Sequence, residues 1–271
     1  MEIRSARSQD VPFLKALWHE VFGDDPRFID FFFAARFSPE RTLTALDRTA
    51  RVCGACYLLP CTVVTAAGPA PADMLYALAV SKDSQGQGVG TALLETAKER
   101  ASRKHASLIL SPASESLVSY YFARGFLPFS FLKKHQIPAG PALSPVQMRP
   151  CSPAEYMRLR DARYQEPGTV RWDEEAIAWA LKHYAWDGGQ TSFFEADGIP
   201  GAVIWHRKET TLYITEMTFP PHLRSTAARL LMQQTLCRRA VVDDTEAPEG
   251  QVFGMIWGMQ IERGYFNLSL E

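Results

Sequence analysis

Residues 76–91 read YALAVSKDSQGQGVGT, and this stretch decides the reading of the fold. The apolar run Tyr76–Val80 has the composition of a buried strand. A polar turn follows it. Glycines then alternate at Gly86, Gly88 and Gly90, and Val89, Leu93, Ala97 and Arg100 fall at helical spacing beyond them. A strand that turns through glycines into a helix presents bare backbone N–H groups at a helix start, where the dipole also favours negative charge. Two common phosphate loops are excluded. Both the P-loop and the dinucleotide fingerprint require glycine at position 91, which is Thr91, and no P-loop lysine follows. What remains is Gln85-x-x-Gly88-x-Gly90. A side chain at Gly86, Gly88 or Gly90 would hold phosphate oxygens away or forbid the dihedrals the loop needs.

Working outward, the segment before the loop is extended. DMLYALAV is a strand, and RTLTALDRTARVCGACYLLPCTVV is a hairpin turning near Asp47–Thr49. Before it, SQDVPFLKALWHEVFG carries a helical stripe at Val11, Leu14, Leu17, Trp18 and Val21. Ser8 or Asp10 can cap this helix, and Gly23 can stop it. PRFIDFFFAARF begins a second helix at Pro26. After the loop come the strand SLIL, the short helix SESLVSYYFARG ended by Gly125, and the extended FLPFSFLKKHQI.

Prolines crowd residues 138–153, and the pattern then starts again. QMRPCSPAEYMRLRDARY echoes EIRSARSQDVPFLKALWHE, with Ser152–Glu155 as a capping box. Arg263-Gly264-Tyr265 echoes Arg124-Gly125-Phe126. The chain therefore reads as two tandem α/β units, each a mixed, mostly antiparallel sheet flanked by helices: residues 1–137, a linker at 138–145, and residues 146–271.

Bulk composition narrows the function. The chain has 271 residues, a formal net charge of −1 and 46% hydrophobic residues, so it is globular and lacks the basic bias of a nucleic-acid binder. No apolar stretch approaches membrane-spanning length, and the polar N-terminus has no signal-peptide core, so a cytoplasmic protein is expected. Neither a nucleic-acid nor a membrane partner is expected, and a homodimer is left open. Cys53 and Cys56 form a C-x-x-C without a second pair to complete a zinc site. On a strand, residues three apart point to opposite faces, so these read as buried free thiols, and no metal is expected.

Gln85, Gly88 and Gly90 at a strand-to-helix junction, together with Tyr121 four residues before Gly125-Phe126, resemble the two signatures of the GNAT superfamily of acyl-CoA-dependent N-acyltransferases. The resemblance covers residues 1–137 in order of elements. The second half resembles a degenerate copy: TFPPHLRSTAARLL has no glycine, Pro220 and Pro221 lack N–H groups, and Gln260 stands where a tyrosine would. The resemblance implies transfer of an acetyl group from acetyl-CoA to a primary amine, on a small molecule or a peptide. It implies acetyl-CoA contacts at Leu78, Ala79 and Val80 for the pantetheine arm, and at Gln85, Gly86, Gln87, Gly88, Val89, Gly90 and Thr91 for the pyrophosphate. The N–H of Val80 or a neighbour would polarise the thioester carbonyl.

The resemblance further implies that Tyr121 assists the departing thiolate. A phenol titrates near 10 and a thiol near 8.5, so full proton transfer is uphill by about 2 kcal/mol and Tyr121 acts mainly as a hydrogen-bond donor. Relatives often carry a glutamate on the fourth strand, but residues 76–80 have no carboxylate, which leaves the base open among His19, Glu20, Asp24, Asp25 and Glu115. Phe31–Phe33 read as a buried helix face joining the halves. The alternative function is a non-catalytic acyl-CoA-binding or sensing module.

Overall fold

The computed structural model describes residues 1–141, 143–186, 188–247 and 249–268. The first half runs β1 (Glu2–Ser5), α1 (Val11–Phe22), α2 (Pro26–Ala35), β2 (Thr42–Leu46), β3 (Val52–Thr65), β4 (Gly68–Val80), α3 (Val89–Arg103), β5 (Ser107–Leu110), α4 (Glu115–Phe122) and β6 (Leu127–Pro138). The second runs β7 (Arg149–Pro150), α5 (Pro153–Arg163), β8 (Val170–Arg171), α6 (Glu174–Trp186), β9 (Gln190–Ala196), β10 (Ile199–Lys208), β11 (Thr211–Met217), α7 (Arg224–Thr235), β12 (Arg239–Asp244) and β13 (Gln251–Trp257).

The helix boundaries follow the local chemistry. Gly23 closes α1 in a left-handed conformation, returning its N–H to His19 C=O at 2.9 Å. The Asp25 carboxylate caps α2 through Arg27 N–H, with Pro26 in the first turn. Asp10 precedes α1 but does not cap it. Its carboxylate is held instead by the Arg4 guanidinium at 2.7 and 3.1 Å and by Arg7 N–H at 2.7 Å.

The described strands form one mixed sheet in the order β1-β2-β3-β4-β5-β13-β6-β12-β11-β10-β9-β7, with β8 pairing off this path to β3. Each half contains one parallel pair joined by a crossover helix: β4–α3–β5 and β11–α7–β12. At the centre the halves exchange strands. β13 from the end of the chain lies between β5 and β6, while β6 pairs with β12 on its other edge.

Helices cover both faces of the sheet. On one, α3 and α4 bury Leu93, Leu94 and Tyr121 against Cys56, Leu58, Leu75 and Leu108. On the other, Trp18, Phe32, Tyr57 and Tyr76 meet Trp179 and Ile204 in a single cluster spanning the two halves. The α2 aromatics make that junction. Phe31 stacks on Trp179 at 5.6 Å, and Phe28 stacks on His183 at 4.5 Å. Each such ring contributes about 1.5–3 kcal/mol when fully buried.

Two sequence expectations need correction. Cys53 and Cys56 do not part to opposite faces; both pack in the α3-side cluster. A register shift places Val52 opposite Leu46 and Gly54 opposite Ala45, so Cys53 is an extra residue that resets the alternation. All five thiols are buried and free, and burial pushes Cys56 up to about 12. The echo at Arg263-Gly264-Tyr265 is also not structural. Gly125 follows α4 with φ +80°, whereas Gly264 lies in an irregular segment after β13. A Cβ on Gly264 would stand 2.3 Å from Gly168 C=O, so glycine serves there for space rather than handedness.

Candidate functional site

β4 and β5 run parallel only from Ala72–Met74 against Ser107–Ile109. β5 ends at Leu110, its other edge paired to β13 over Leu108–Leu110, while β4 continues along β3. The strands splay, and a cavity of about 860 Å³ opens between them. Its walls include Leu75–Leu78 of β4, Leu110 and Ser111 beyond β5, and Leu117 and Tyr121 of α4.

A bulge faces this opening. Tyr76 pairs with Tyr57 and Ala79 with Ala55, so Ala77 and Leu78 together oppose Cys56 alone. Ala77 takes φ +46°, a conformation that costs an alanine about 1–2 kcal/mol and re-aims the strand backbone.

The glycine loop follows. Glu20 accepts from Lys82 N–H at 3.0 Å and anchors its start. The side chains of Gln85 and Gln87 brace it from within, donating to Val80 C=O at 3.2 Å and Asp83 C=O at 2.8 Å. Gly86 and Gly88 have φ +74° and +81°, with open space where a Cβ would stand. The first intrahelical bond of α3 runs from Ala92 N–H to Gly88 C=O at 3.0 Å. Among the described residues, the N–H groups of Gly86 to Thr91 have no backbone acceptor.

Gly90 corrects the sequence reading. Its φ is ordinary, and an added Cβ would come 3.4 Å from Tyr120 Oη and 3.6 Å from Leu78 and Val80. Glycine there lets the helix start pack tightly on the end of β4. Thr91 is similarly turned inward: its Oγ1 lies 3.2 Å from Tyr120 Oη and accepts from Arg124 Nη2 at 3.0 Å. Arg124 also lies 3.6 Å over the Tyr120 ring. Motif spacing does not single out Arg124.

The two adjacent tyrosines separate cleanly. Tyr120 braces the start of α3, whereas Tyr121 lines the cavity and is 7% exposed. Burial raises the Tyr121 phenol above its ordinary range, so it stays protonated and donates.

Of the five candidate bases, Asp24 and Asp25 line the cavity. Asp24 Oδ2 accepts from Trp18 Nε1 at 2.7 Å. The Arg27 guanidinium, bonded through Nε and Nη2, holds Asp25 down to about 2, too weak a base to take a proton from an ammonium. His19 bonds the Asp24 backbone oxygen at 2.9 Å, Glu20 serves the loop, and Glu115 opens α4. His183 and Trp186 of α6 also line the cavity. No motif marks them; the only hint in the sequence was an aromatic face on α2 that needed a partner.

The corresponding opening in the second half is filled. β11 and β12 pair over Thr211–Ile214 and Arg239–Val242, then part. There Asn267 Nδ2 donates to Thr215 C=O at 2.9 Å and Tyr164 Oη to Met217 C=O at 2.7 Å. Tyr156 and Tyr265 both donate to Glu216, which also pairs with buried Arg160 at 3.1 Å. The void left is about 10 Å³. Among the described residues no cluster of His, Cys, Asp and Glu could hold a metal, and no helix is long and apolar enough to cross a membrane.

Comparison with known proteins accords with this geometry. Residues 2–128 match the family model described as acetyltransferase (GNAT) domain. That match spans 127 of the 271 residues, all within the first half. Among solved structures, a GCN5-related N-acetyltransferase from Anabaena variabilis superposes with a TM-score of 0.75 at 14% identity, over 94% of this chain and 72% of that one. One from Kribbella flavida gives 0.69 at 15% identity, over 94% and 70%. Saccharomyces cerevisiae N-myristoyltransferase with bound myristoyl-CoA gives 0.59 at 9% identity, over 98% and 85%. These likenesses are of fold, and they extend beyond residues 2–128 across the second half. No curated protein sequence matches the chain.

Proposed function

We propose that the protein is an N-acetyltransferase that moves the acetyl group of acetyl-CoA directly onto a primary amine. The observation that carries this reading is the contrast between the two openings. The β4–β5 splay is open and holds Tyr121, while the β11–β12 splay is closed by the chain's own side chains. Residues 1–137 are the acetyl-CoA-binding and catalytic unit, 138–145 the linker, and 146–271 a degenerate GNAT-like unit that walls the acceptor pocket.

Acetyl-CoA supplies an electrophilic thioester carbonyl. The free N–H groups from Gly86 to Thr91 receive its pyrophosphate at the start of α3. The unpaired β4 edge from Leu75 to Val80 lies along the pantetheine arm, and an N–H at the Leu78 bulge or at Val80 polarises the carbonyl. The neutral amine nitrogen forms the new C–N bond as the C–S bond breaks. The acceptor enters as an ammonium and first loses one proton to solvent; after attack the nitrogen loses a second, which ends on CoA sulfur. Tyr121 stabilises the thiolate as it forms by donating a hydrogen bond.

A calorimetric titration with acetyl-CoA, followed by a thiol-release assay over a panel of amines, tests this. One site per chain and amine-dependent thiol release are expected. Two equivalent sites would contradict the single-site reading. Binding without thiol release for any amine would leave a sensing module.

A further inference from the structure

We propose that the acceptor is a monoamine carried on a flat apolar body without a carboxylate, held in a pocket that both halves build. This inference rests on the acyl-transfer reading above and concerns the other end of the same cavity.

Past Tyr121 and β4, the cavity continues to the junction of α1 and α2 and to the C-terminal end of α6. Its walls there are rings: Phe22 and Phe28 from the first half, His183 and Trp186 from the second. Phe22 is 44% exposed and Trp186 50%. Large apolar side chains left open inside a concavity mark a ligand surface more often than a structural one. These rings are also fixed. Trp186 packs on Phe31 at 4.7 Å, Phe22 meets Trp18 at 6.0 Å, and His183 lies between Phe28 and Trp179. Preformed aromatic walls suit a planar guest.

The charges choose among amines. Among the described residues, the ionisable groups lining this end are Asp24, Asp25, Arg27 and His183. Arg27 forks onto Asp25 through Nε and Nη2, so that pair largely offsets its own charge. Asp24 remains. Trp18 occupies its Oδ2, and among the described residues no hydrogen bond or ion pair reaches its Oδ1. Among the described residues this is one free carboxylate amid aromatic faces, which suits one ammonium, since rings also attract a cation. It does not suit a polyamine, which brings several charges, nor an amino acid, whose carboxylate would meet Asp24.

The test measures acetyl-CoA-dependent thiol release with 2-phenylethylamine, ethylamine, phenylalanine and spermidine. Tryptophan fluorescence titration of the same amines onto the CoA complex gives a readout independent of turnover. The ring should be worth about 10–100-fold in kcat/KM over ethylamine, from its apolar burial. Phenylalanine, with the same ring and a carboxylate, should fall at least 100-fold below 2-phenylethylamine. Trp186→Ala should raise KM about tenfold for 2-phenylethylamine and far less for ethylamine. Asp24→Asn should weaken all amines, and both variants should keep wild-type acetyl-CoA affinity, showing that the fold survives. Preference for spermidine or phenylalanine, or equal loss on both monoamines in Trp186→Ala, overturns the acceptor class while acyl transfer stands. Thiol release with none of the four amines, alongside tight 2-phenylethylamine binding by fluorescence, would overturn the acyl-transfer reading and keep the pocket; absence of that binding overturns the pocket as well.

Discussion

Replacing Gly88 by alanine isolates what the glycine loop contributes. Gly88 sits at φ +81° as the residue preceding α3, and nothing lies within 4 Å of the position its Cβ would take. The variant therefore meets no clash in the free protein, only the backbone penalty of about 1–2 kcal/mol for a left-handed alanine. At about 2–4 °C per kcal/mol for a chain of this size, Tm should fall by a few degrees. Binding should suffer more. The open space is where the phosphate oxygens must approach, and each charge-assisted N–H bond is worth about 1.5–3 kcal/mol. Loss of one such bond raises Kd by about 10–150-fold, because 1.4 kcal/mol is tenfold. Gly90→Ala is the comparison: its φ is ordinary, its Cβ meets Tyr120 at 3.4 Å, and alanine favours the helix by up to about 1 kcal/mol. Calorimetry with acetyl-CoA reads both variants. An unchanged Kd for Gly88→Ala, or an equal loss for Gly90→Ala, would refute the claim that bare backbone at Gly88 receives the pyrophosphate.

Tyr121→Phe should lower kcat by about 10²–10⁴-fold with little change in acetyl-CoA Kd, whereas Tyr120→Phe, which loses the Thr91 contact, should act on affinity instead; steady-state kinetics beside calorimetry separates them. Glu216→Ala should cost about 3–5 kcal/mol in denaturant unfolding, because it strands the buried Arg160 charge and two tyrosine hydroxyls. Thermal unfolding should be a single calorimetric transition, given the strand exchange and the shared aromatic cluster; two separated transitions would count against it. Stability should decline as pH rises above about 10: Tyr57, Tyr121, Tyr156 and Tyr265 are all raised by burial, so only the unfolded chain can ionise them there. A flat Tm between pH 9 and 11 would be the contrary result.

How far the sequence alone reaches depends on whether the determinant is local. Gly23, Pro26, Ser114, Ser152 and the Gly86–Gly88 turn act through their own dihedrals or caps, so their elements are legible residue by residue. Tyr121 is legible through its spacing from Gly125. The strand exchange is not, because β6 and β13 each read as an ordinary strand, and their partners are chosen by edges formed far away in sequence. The bulge at Cys53 is hidden for a related reason: nothing in Val52-Cys53-Gly54 marks an extra residue without its partner strand. The α6 wall of the pocket, His183 and Trp186, is set by how two helices dock, which no motif encodes.

The exchange of β6 and β13 carries a consequence for biosynthesis. As the chain leaves the ribosome, β5 is made well before its antiparallel neighbour β13, which emerges only after β6 to β12. Until then the edges of β5 and β6 are open, and unpaired edges invite association with other chains. The glycine loop and Tyr121 are also present early, whereas β13 and the α6 wall of the cavity come later. Placing that closing strand after β12 ties closure of the sheet to synthesis of the second half. A prematurely terminated chain would then be a poor transferase and a good substrate for a chaperone or a protease.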